Sequence, residues 1–237
     1  MGGREQEVQI PVGDGGYIDA IVSVQRSPVV VIALHPWGPL GGCMHDPHPT
    51  TVCQVFGRAG CSTCRLDFRS GLGSGASSVA DVRAAAAWFT EPQGGAEPAA
   101  TQVLVIGYSY GSVIGAAAAA EIPQCVGFAM LAPPLGFGWA LYMFNSSGLL
   151  ARASDSAGKP KCILLGTQDQ FCSEDTLMRF YQGLPEPKKY VSLQDVDHFR
   201  LYPRLARELS SWIAEAYGVA DLQAFARGGA PRRPAGA

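Results

Sequence analysis

The amino-acid sequence predicts an α/β fold: a mainly parallel, eight-stranded sheet with helices on both faces. Short β-branched apolar runs alternate with stretches of helical periodicity along most of the 237 residues, as strands joined by crossover helices do. The two opening apolar runs are separated by Gly13-Asp14-Gly15-Gly16, so an antiparallel hairpin is expected ahead of the alternation.

In chain order, the hairpin strands fall near Val8–Val12 and Tyr17–Val24, and the next apolar run puts a strand at Val29–Leu34. A helix at Thr50–Ala59 leads to a strand at Cys64–Phe68, and a helix at Val79–Phe89 to a strand at Val103–Tyr108. The helix Ser109–Ala120 follows directly, then strands at Cys125–Ala132 and Lys161–Thr167, a helix at Glu174–Gln182 and a strand at Tyr190–Leu193. The last helix, Leu201–Tyr217, places Leu205, Leu209, Trp212, Ile213 and Ala216 on one face. Glu91–Ala100 and Ala153–Pro160 read as surface loops, and no internal repeat is present. Residues 1–226 are expected to form one domain, followed by a disordered Gly/Pro/Arg/Ala-rich tail, 227–237. Between Pro134 and Lys161 there is room for a minimal cap.

Charged residues make up 16% of the chain and the net charge is -2, so no basic face is expected for a phosphate backbone and nucleic acid is excluded as a partner. Apolar stretches such as Val29–Leu34 and Ile114–Ala120 fall short of the ~20 residues of a membrane span. The opening residues show no secretory pattern, and Gln6 stands where myristoylation wants Ser or Thr. Seven cysteines is an odd count, with Cys125 and Cys162 in or beside apolar runs; reduced thiols and a cytoplasmic location are expected.

The chemistry concentrates in three places. Gly107-Tyr108-Ser109-Tyr110-Gly111 spans a strand end and a helix start, a tight turn that lifts a serine hydroxyl above the sheet. The same helix start offers the Tyr110 N–H to a developing oxyanion. A serine hydroxyl is a poor nucleophile without a base and an acid to orient that base. Ile163-Leu164-Leu165-Gly166-Thr167-Gln168-Asp169 puts a carboxylate just past a strand end, and Val196-Asp197-His198-Phe199 puts an imidazole in the loop before the last helix. The candidate catalytic residues are therefore Ser109, Asp169 and His198, although singly Asp169 reads equally as a turn or cap residue and His198 as a loop histidine. Asp195, Asp197 and Glu174 are rival acids, of which Asp197 adjoins His198 too closely for an in-line bond to its ring.

At His35-Pro36-Trp37-Gly38-Pro39-Leu40-Gly41-Gly42 the chain resembles the HP-x-x-x-x-GG loop of a small-hydrolase family within the α/β-hydrolases, the dienelactone-hydrolase-like predicted esterases. Leu66 to Ser74 resembles that family's F-R-G-x-G-x-S segment and Asp81 to Trp88 its D-x-x-A-A-x-x-W helix. Ala132-Pro133-Pro134, Gly166–Asp169 and Asp197-His198-Phe199 also fit, so the likeness runs from about Val8 to Trp212. It implies the α/β-hydrolase fold, the Trp37 N–H as second oxyanion donor and a structural His35. Trp37 and Gly38 stand where histidine and proline are expected, and Asp46 where asparagine is usual, so substrate preference does not transfer.

The sequence thus predicts a serine hydrolase acting on a small-molecule ester or thioester through an acyl-enzyme, without a cofactor. Two other readings use the same residues: a serine peptidase or amidase, and a non-catalytic or slow ligand-binding module on the same fold. In the cap, Phe137, Trp139 and Tyr142, with Leu141, Met143 and Phe144, either line a substrate pocket or pack a surface helix on the sheet. His35, His45, Asp46 and His48 match no metal-site spacing, and no metal is expected. Cys61-Ser62-Thr63-Cys64 leads into a strand rather than capping a helix, which argues against redox chemistry. Gly71-Leu72-Gly73-Ser74-Gly75 resembles a phosphate-cradling loop only in part: a dinucleotide site wants that turn in the opening βαβ unit, and the acidic residue about 20 positions on, Glu97, lies in a Pro/Gly-rich loop.

Overall fold

The computed structural model describes residues 3–69, 75–92, 98–136 and 146–229. Eight strands, β1 (Gln6–Pro11), β2 (Tyr17–Ser23), β3 (Val29–Leu34), β4 (Ser62–Leu66), β5 (Gln102–Tyr108), β6 (Cys125–Leu131), β7 (Lys161–Gly166) and β8 (Lys188–Leu193), form one sheet in the order β1-β2-β4-β3-β5-β6-β7-β8. The β1/β2 hairpin and the β2/β4 pair are antiparallel, and every other pair is parallel. All parallel strands therefore end at one edge, where ligand sites of open α/β sheets form.

Helices cover both faces because the central strands are apolar on both. Along β3, Val30, Ile32 and Leu34 enter one core, which they share with α2 (Ala76–Thr90), α3 (Tyr110–Glu121), α4 (Ser146–Ser154) and α5 (Glu174–Gly183). Val29, Val31 and Ala33 enter the other, against α1 (Pro47–Ala59), α6 (Leu205–Tyr217) and α7 (Leu222–Gly228). Each large side chain so buried stabilises the fold by about 1.5–3 kcal/mol. The predicted face of α6 is the one that packs, with Leu205, Leu209, Trp212 and Ile213 buried. Lys159 Nζ lies 2.6 Å from the Ala119 carbonyl and 3.2 Å from that of Ile122, a cation on two backbone acceptors at the end of α3.

Departures from the expected elements have local causes. Helix α1 starts at Pro47, not Thr50: Asp46 caps it by accepting from the His48 N–H at 2.8 Å, and a proline is tolerated in the first turn, where its missing N–H has no partner to lose. Lys188 and Lys189 belong to β8, an edge strand whose part-exposed residues hid its period. Pro203 interrupts the expected Leu201–Tyr217 helix, leaving a 3₁₀ turn, Tyr202–Arg204, before α6. Helices α4 and α7 are additions: both are too short for a clear periodic signal, and α4 takes in the start of the expected Ala153–Pro160 loop. The tail from residue 230 and the cap residues Phe137, Trp139 and Tyr142 lie outside the described residues, as do 70–74.

One charged contact ties the N-terminal segment to the sheet. Arg65 on β4 is almost fully buried and takes both carboxylate oxygens of Glu5, at 2.5 and 2.9 Å. The hydrogen bond from Arg65 holds the Glu5 carboxyl below the usual carboxylate range. A carboxylate with a depressed pKa adds stability above its unfolded pKa of about 4.3, and that stability is lost as pH falls through the folded value. Glu5→Gln is expected to destabilise by about 1 kcal/mol at pH 7, because it strands a buried guanidinium while half-exposure of Glu5 screens the pair. In urea titrations the gap to wild type should close on acidification below about pH 4. A gap unchanged at pH 3 would show that the ion pair is not its source.

Candidate active site

Ser109 follows β5 directly and stands at φ 51° and ψ −119°, a left-handed φ that non-glycine residues seldom adopt. Two close approaches hold it there. A Cβ on Gly107 would lie 2.1 Å from the Gly111 carbonyl oxygen, and one on Gly111 would lie 2.5 Å from that of His35. Only glycine at both positions lets the turn close and lets the first turn of α3 press on the loop after β3. That contact puts Tyr110, the first residue of α3, beside the loop carrying Trp37.

A second close approach joins the other two candidates. A Cβ on Gly166, the last residue of β7, would lie 2.0 Å from the Val196 carbonyl oxygen, so the loops after β7 and β8 run against each other. The Gln168 N–H donates to the Val196 carbonyl at 3.0 Å and the Asp195 N–H to Thr167 Oγ1 at 3.0 Å. The structure thereby brings Asp169 and His198 together: Asp169 Oδ2 is 2.8 Å from His198 Nδ1, and His198 Nε2 is 3.1 Å from Ser109 Oγ. The Asp169 carboxylate is fully buried, and its Oδ1 accepts the N–H groups of Phe171 at 2.8 Å and Cys172 at 2.9 Å. An ionised carboxylate only accepts, so Nδ1 carries its hydrogen and Nε2 turns a lone pair to the Ser109 hydroxyl.

The rival acids are engaged elsewhere. Asp197 accepts the Phe199 N–H and pairs with Arg200, Asp195 meets Gln168, and Glu174 accepts the hydroxyls of Tyr190 and Ser192. Residues that sequence reasoning missed hold the histidine in place. The Tyr108 hydroxyl donates to the His198 carbonyl at 3.0 Å, and Gln170 Oε1 accepts the His198 N–H at 3.2 Å. Adjacency of Tyr108 and Gln170 to candidate residues was the available signal; their partners could not be read from it.

His35 is buried, its Nδ1 2.5 Å from the Pro36 carbonyl and its Nε2 accepting from the Phe68 N–H at 3.1 Å. Burial pushes its pKa down, so the neutral ring joins the loop after β3 to the segment after β4. Trp37 begins the short 3₁₀ turn Gly38–Leu40 and receives the N–H groups of Leu40 and Gly42 on its carbonyl. Fully buried Asp81 holds the Arg69 side chain at 2.6 Å and its N–H at 3.1 Å, fixing the segment after β4 on α2. His48 turns its Nδ1 to Asp46 at 2.9 Å and stacks on Tyr108. Among the described residues no group of three or more His, Cys, Asp or Glu side chains is placed to hold a metal. Burial pushes the Cys61 thiol up to about 12, away from the thiolate that redox chemistry needs. No helix among the described residues is long and apolar enough to cross a membrane.

No family model and no curated protein matches the chain. Its architecture does match solved structures. One is an α/β serine hydrolase without lid from Xanthomonas campestris, 19% identical, with a TM-score of 0.70 over 90% of this chain and 95% of that one. Another is an α/β serine hydrolase homologue from Coxiella burnetii, 20% identical, with a TM-score of 0.68 over 91% and 98% of the two chains. An esterase domain of a Rhodothermus marinus protein is 18% identical, with a TM-score of 0.67 over 90% and 98%.

Proposed function

We propose that this chain, which has the α/β-hydrolase fold, is a serine hydrolase that cleaves a carboxylic ester or thioester through an acyl-enzyme. The observation that carries the reading is the hydrogen-bonded line Asp169 Oδ2, His198 Nδ1, His198 Nε2, Ser109 Oγ, at 2.8 and 3.1 Å, ending on a serine held at φ 51°. His198 Nε2 takes the Ser109 proton as Oγ attacks the carbonyl carbon, and Asp169 stabilises the imidazolium. The tetrahedral oxyanion faces the N-terminus of α3, with the Tyr110 and Trp37 N–H groups as donors. Collapse breaks the bond to the leaving group, which takes the proton from Nε2; water then repeats the sequence on the acyl-enzyme. No cofactor enters any step. Labelling of the folded protein by a fluorophosphonate, lost in Ser109→Ala, tests the reading, and a wild-type protein that neither labels nor turns over activated esters would overturn it.

The acyl group should be short. Only about 25 residues separate Pro134 from Lys161, against the ~100–200 of a separate covering domain. The neighbour from Xanthomonas campestris is likewise described as lacking a lid. Phe137, Trp139 and Tyr142 are proposed to line the acyl pocket from this small cap. A cap this short would cover little of a long acyl chain and so recover little of the ~0.8 kcal/mol that each further buried methylene would add. Measured on p-nitrophenyl esters from acetate to palmitate, kcat/KM is expected to be highest at about two to six carbons, with no rate jump at the micelle threshold. A steady rise towards palmitate would identify a lipase instead.

A further inference from the structure

A row of three buried rings runs from helix α1 to the imidazole of His198. His48, the second residue of α1, lies flat on Tyr108, with ring centroids 3.6 Å apart and planes 14° from parallel; Tyr108 in turn lies 5.3 Å from the His198 ring. The orientation of His48 is itself fixed. Asp46 Oδ1, the cap of α1, accepts its backbone N–H at 2.8 Å and faces its Nδ1 at 2.9 Å, and Tyr202 meets the ring edge-on at 5.6 Å and 89°. A carboxylate only accepts, so Nδ1 carries the hydrogen and Nε2 a lone pair. That Nε2 is buried without a hydrogen-bond partner among the described residues. A buried acceptor left in this way costs free energy that an apolar ring would avoid, so burial alone does not favour histidine here. The bond to Asp46, which sets the plane of the ring, does.

From this row we infer that His48 is a positioning residue for His198 and acts through Tyr108: it holds the Tyr108 ring in the plane from which its hydroxyl reaches the His198 carbonyl at 3.0 Å. The inference rests on the serine-hydrolase reading. Tyr108 ends β5 one residue before Ser109, so its side chain joins the strand of the nucleophile to the backbone of the base. The second side-chain torsion of a tyrosine is broad, and the plane of the ring is therefore set by what packs against it. The phenol oxygen stands at the far end of a rigid ring, where a small swing of that ring moves it most. His198 Nε2 is 3.1 Å from Ser109 Oγ, close to the limit of about 3.2 Å for proton transfer, so little slack remains. Loss of the His48 face should let the Tyr108 hydroxyl drift from the His198 carbonyl, and the base with it, in acylation and deacylation alike.

Hydrolysis of p-nitrophenyl acetate tests the coupling, with kcat expressed per active site as titrated by a fluorophosphonate. Wild type, His48→Ala, His48→Phe, Tyr108→Phe and the His48→Ala/Tyr108→Phe double variant are compared, with Ser109→Ala as the blank. In His48→Ala, kcat per labelled site is expected to fall about tenfold with KM within about twofold of wild type, the scale of a small misplacement of a catalytic group. His48→Phe keeps a flat ring on Tyr108 and should stay within about threefold of wild type. Tyr108→Phe keeps the ring, loses the hydroxyl and should also fall about tenfold. The double variant should be no slower than Tyr108→Phe within about twofold, because a ring without its hydroxyl has nothing to aim. Should His48→Ala not fold, His48→Leu, which fills the space without a flat face, takes its place with the same expectations. Losses that multiply in the double variant, a His48→Phe protein as slow as His48→Ala, or fewer labelled sites at an unchanged kcat per site each overturn the coupling and leave the hydrolase reading standing. Absence of Ser109-dependent hydrolysis in wild type overturns both.

Discussion

Ser109→Ala is expected to abolish hydrolysis of an activated aryl ester together with phosphonate labelling, a loss on the order of 10⁶ in kcat as for nucleophile removal in serine proteases. The size of the effect follows from the geometry. Without Oγ, His198 Nε2 has no hydroxyl at 3.1 Å to deprotonate, no acyl-enzyme forms, and only binding and the helix-terminus donors remain to favour attack by water. Alanine should also relieve no fold-critical contact, since the turn is shaped by Gly107 and Gly111 and by the Ser109 N–H, which donates to the Leu131 carbonyl at 2.8 Å. Thermal midpoints of the two proteins should agree within a few degrees. Near-wild-type turnover in folded Ser109→Ala protein would overturn the nucleophile assignment and the function with it.

The second large effect is expected at Asp169→Asn, on the order of 10⁴ in kcat, with KM for the same ester little changed. The replacement keeps an oxygen for the Phe171 and Cys172 N–H groups, so the loop after β7 should hold its shape. An amide N–H facing Nδ1, in contrast, makes that nitrogen an acceptor and turns the ring's hydrogen onto Nε2, where it meets the Ser109 hydroxyl donor to donor. The imidazolium formed during attack also loses its counter-charge. Asp197→Asn is the comparison: its carboxylate serves the Phe199 N–H and Arg200, so a loss of about tenfold at most is expected. Should Asp197→Asn prove the more damaging of the two at neutral pH, the orienting acid has been misassigned.

The fold was legible where it depends on short-range pattern. Strand β3 and the face of α6 were placed correctly because six apolar residues in a row, and apolar residues three and four apart, report their own burial. The short additions α4 and α7, the N-terminal extension of α1 and the break at Pro203 were not, because each depends on a cap, a single proline or a few buried side chains. At the candidate site, Gly107-Tyr108-Ser109-Tyr110-Gly111, between an apolar strand and a helix, pointed to Ser109 as the candidate nucleophile. The acid was only a choice among four carboxylates.

By itself, then, the sequence determined which residues could take part: a serine on a strained turn, an imidazole in a loop and a carboxylate past a strand end, together with a parallel sheet that delivers all three to one edge. Those are consequences of local periodicity and turn chemistry, which act over a few residues. Tertiary structure alone decided which carboxylate meets His198 and what holds the ring there. The contacts in question join residues 29, 89 and 90 positions apart, Asp169 to His198, Ser109 to His198 and Tyr108 to His198. Such pairings depend on loop packing, here the pressure of Gly166 on Val196 and of Gly111 on His35, where a backbone approach of a few tenths of an ångström separates a hydrogen bond from none.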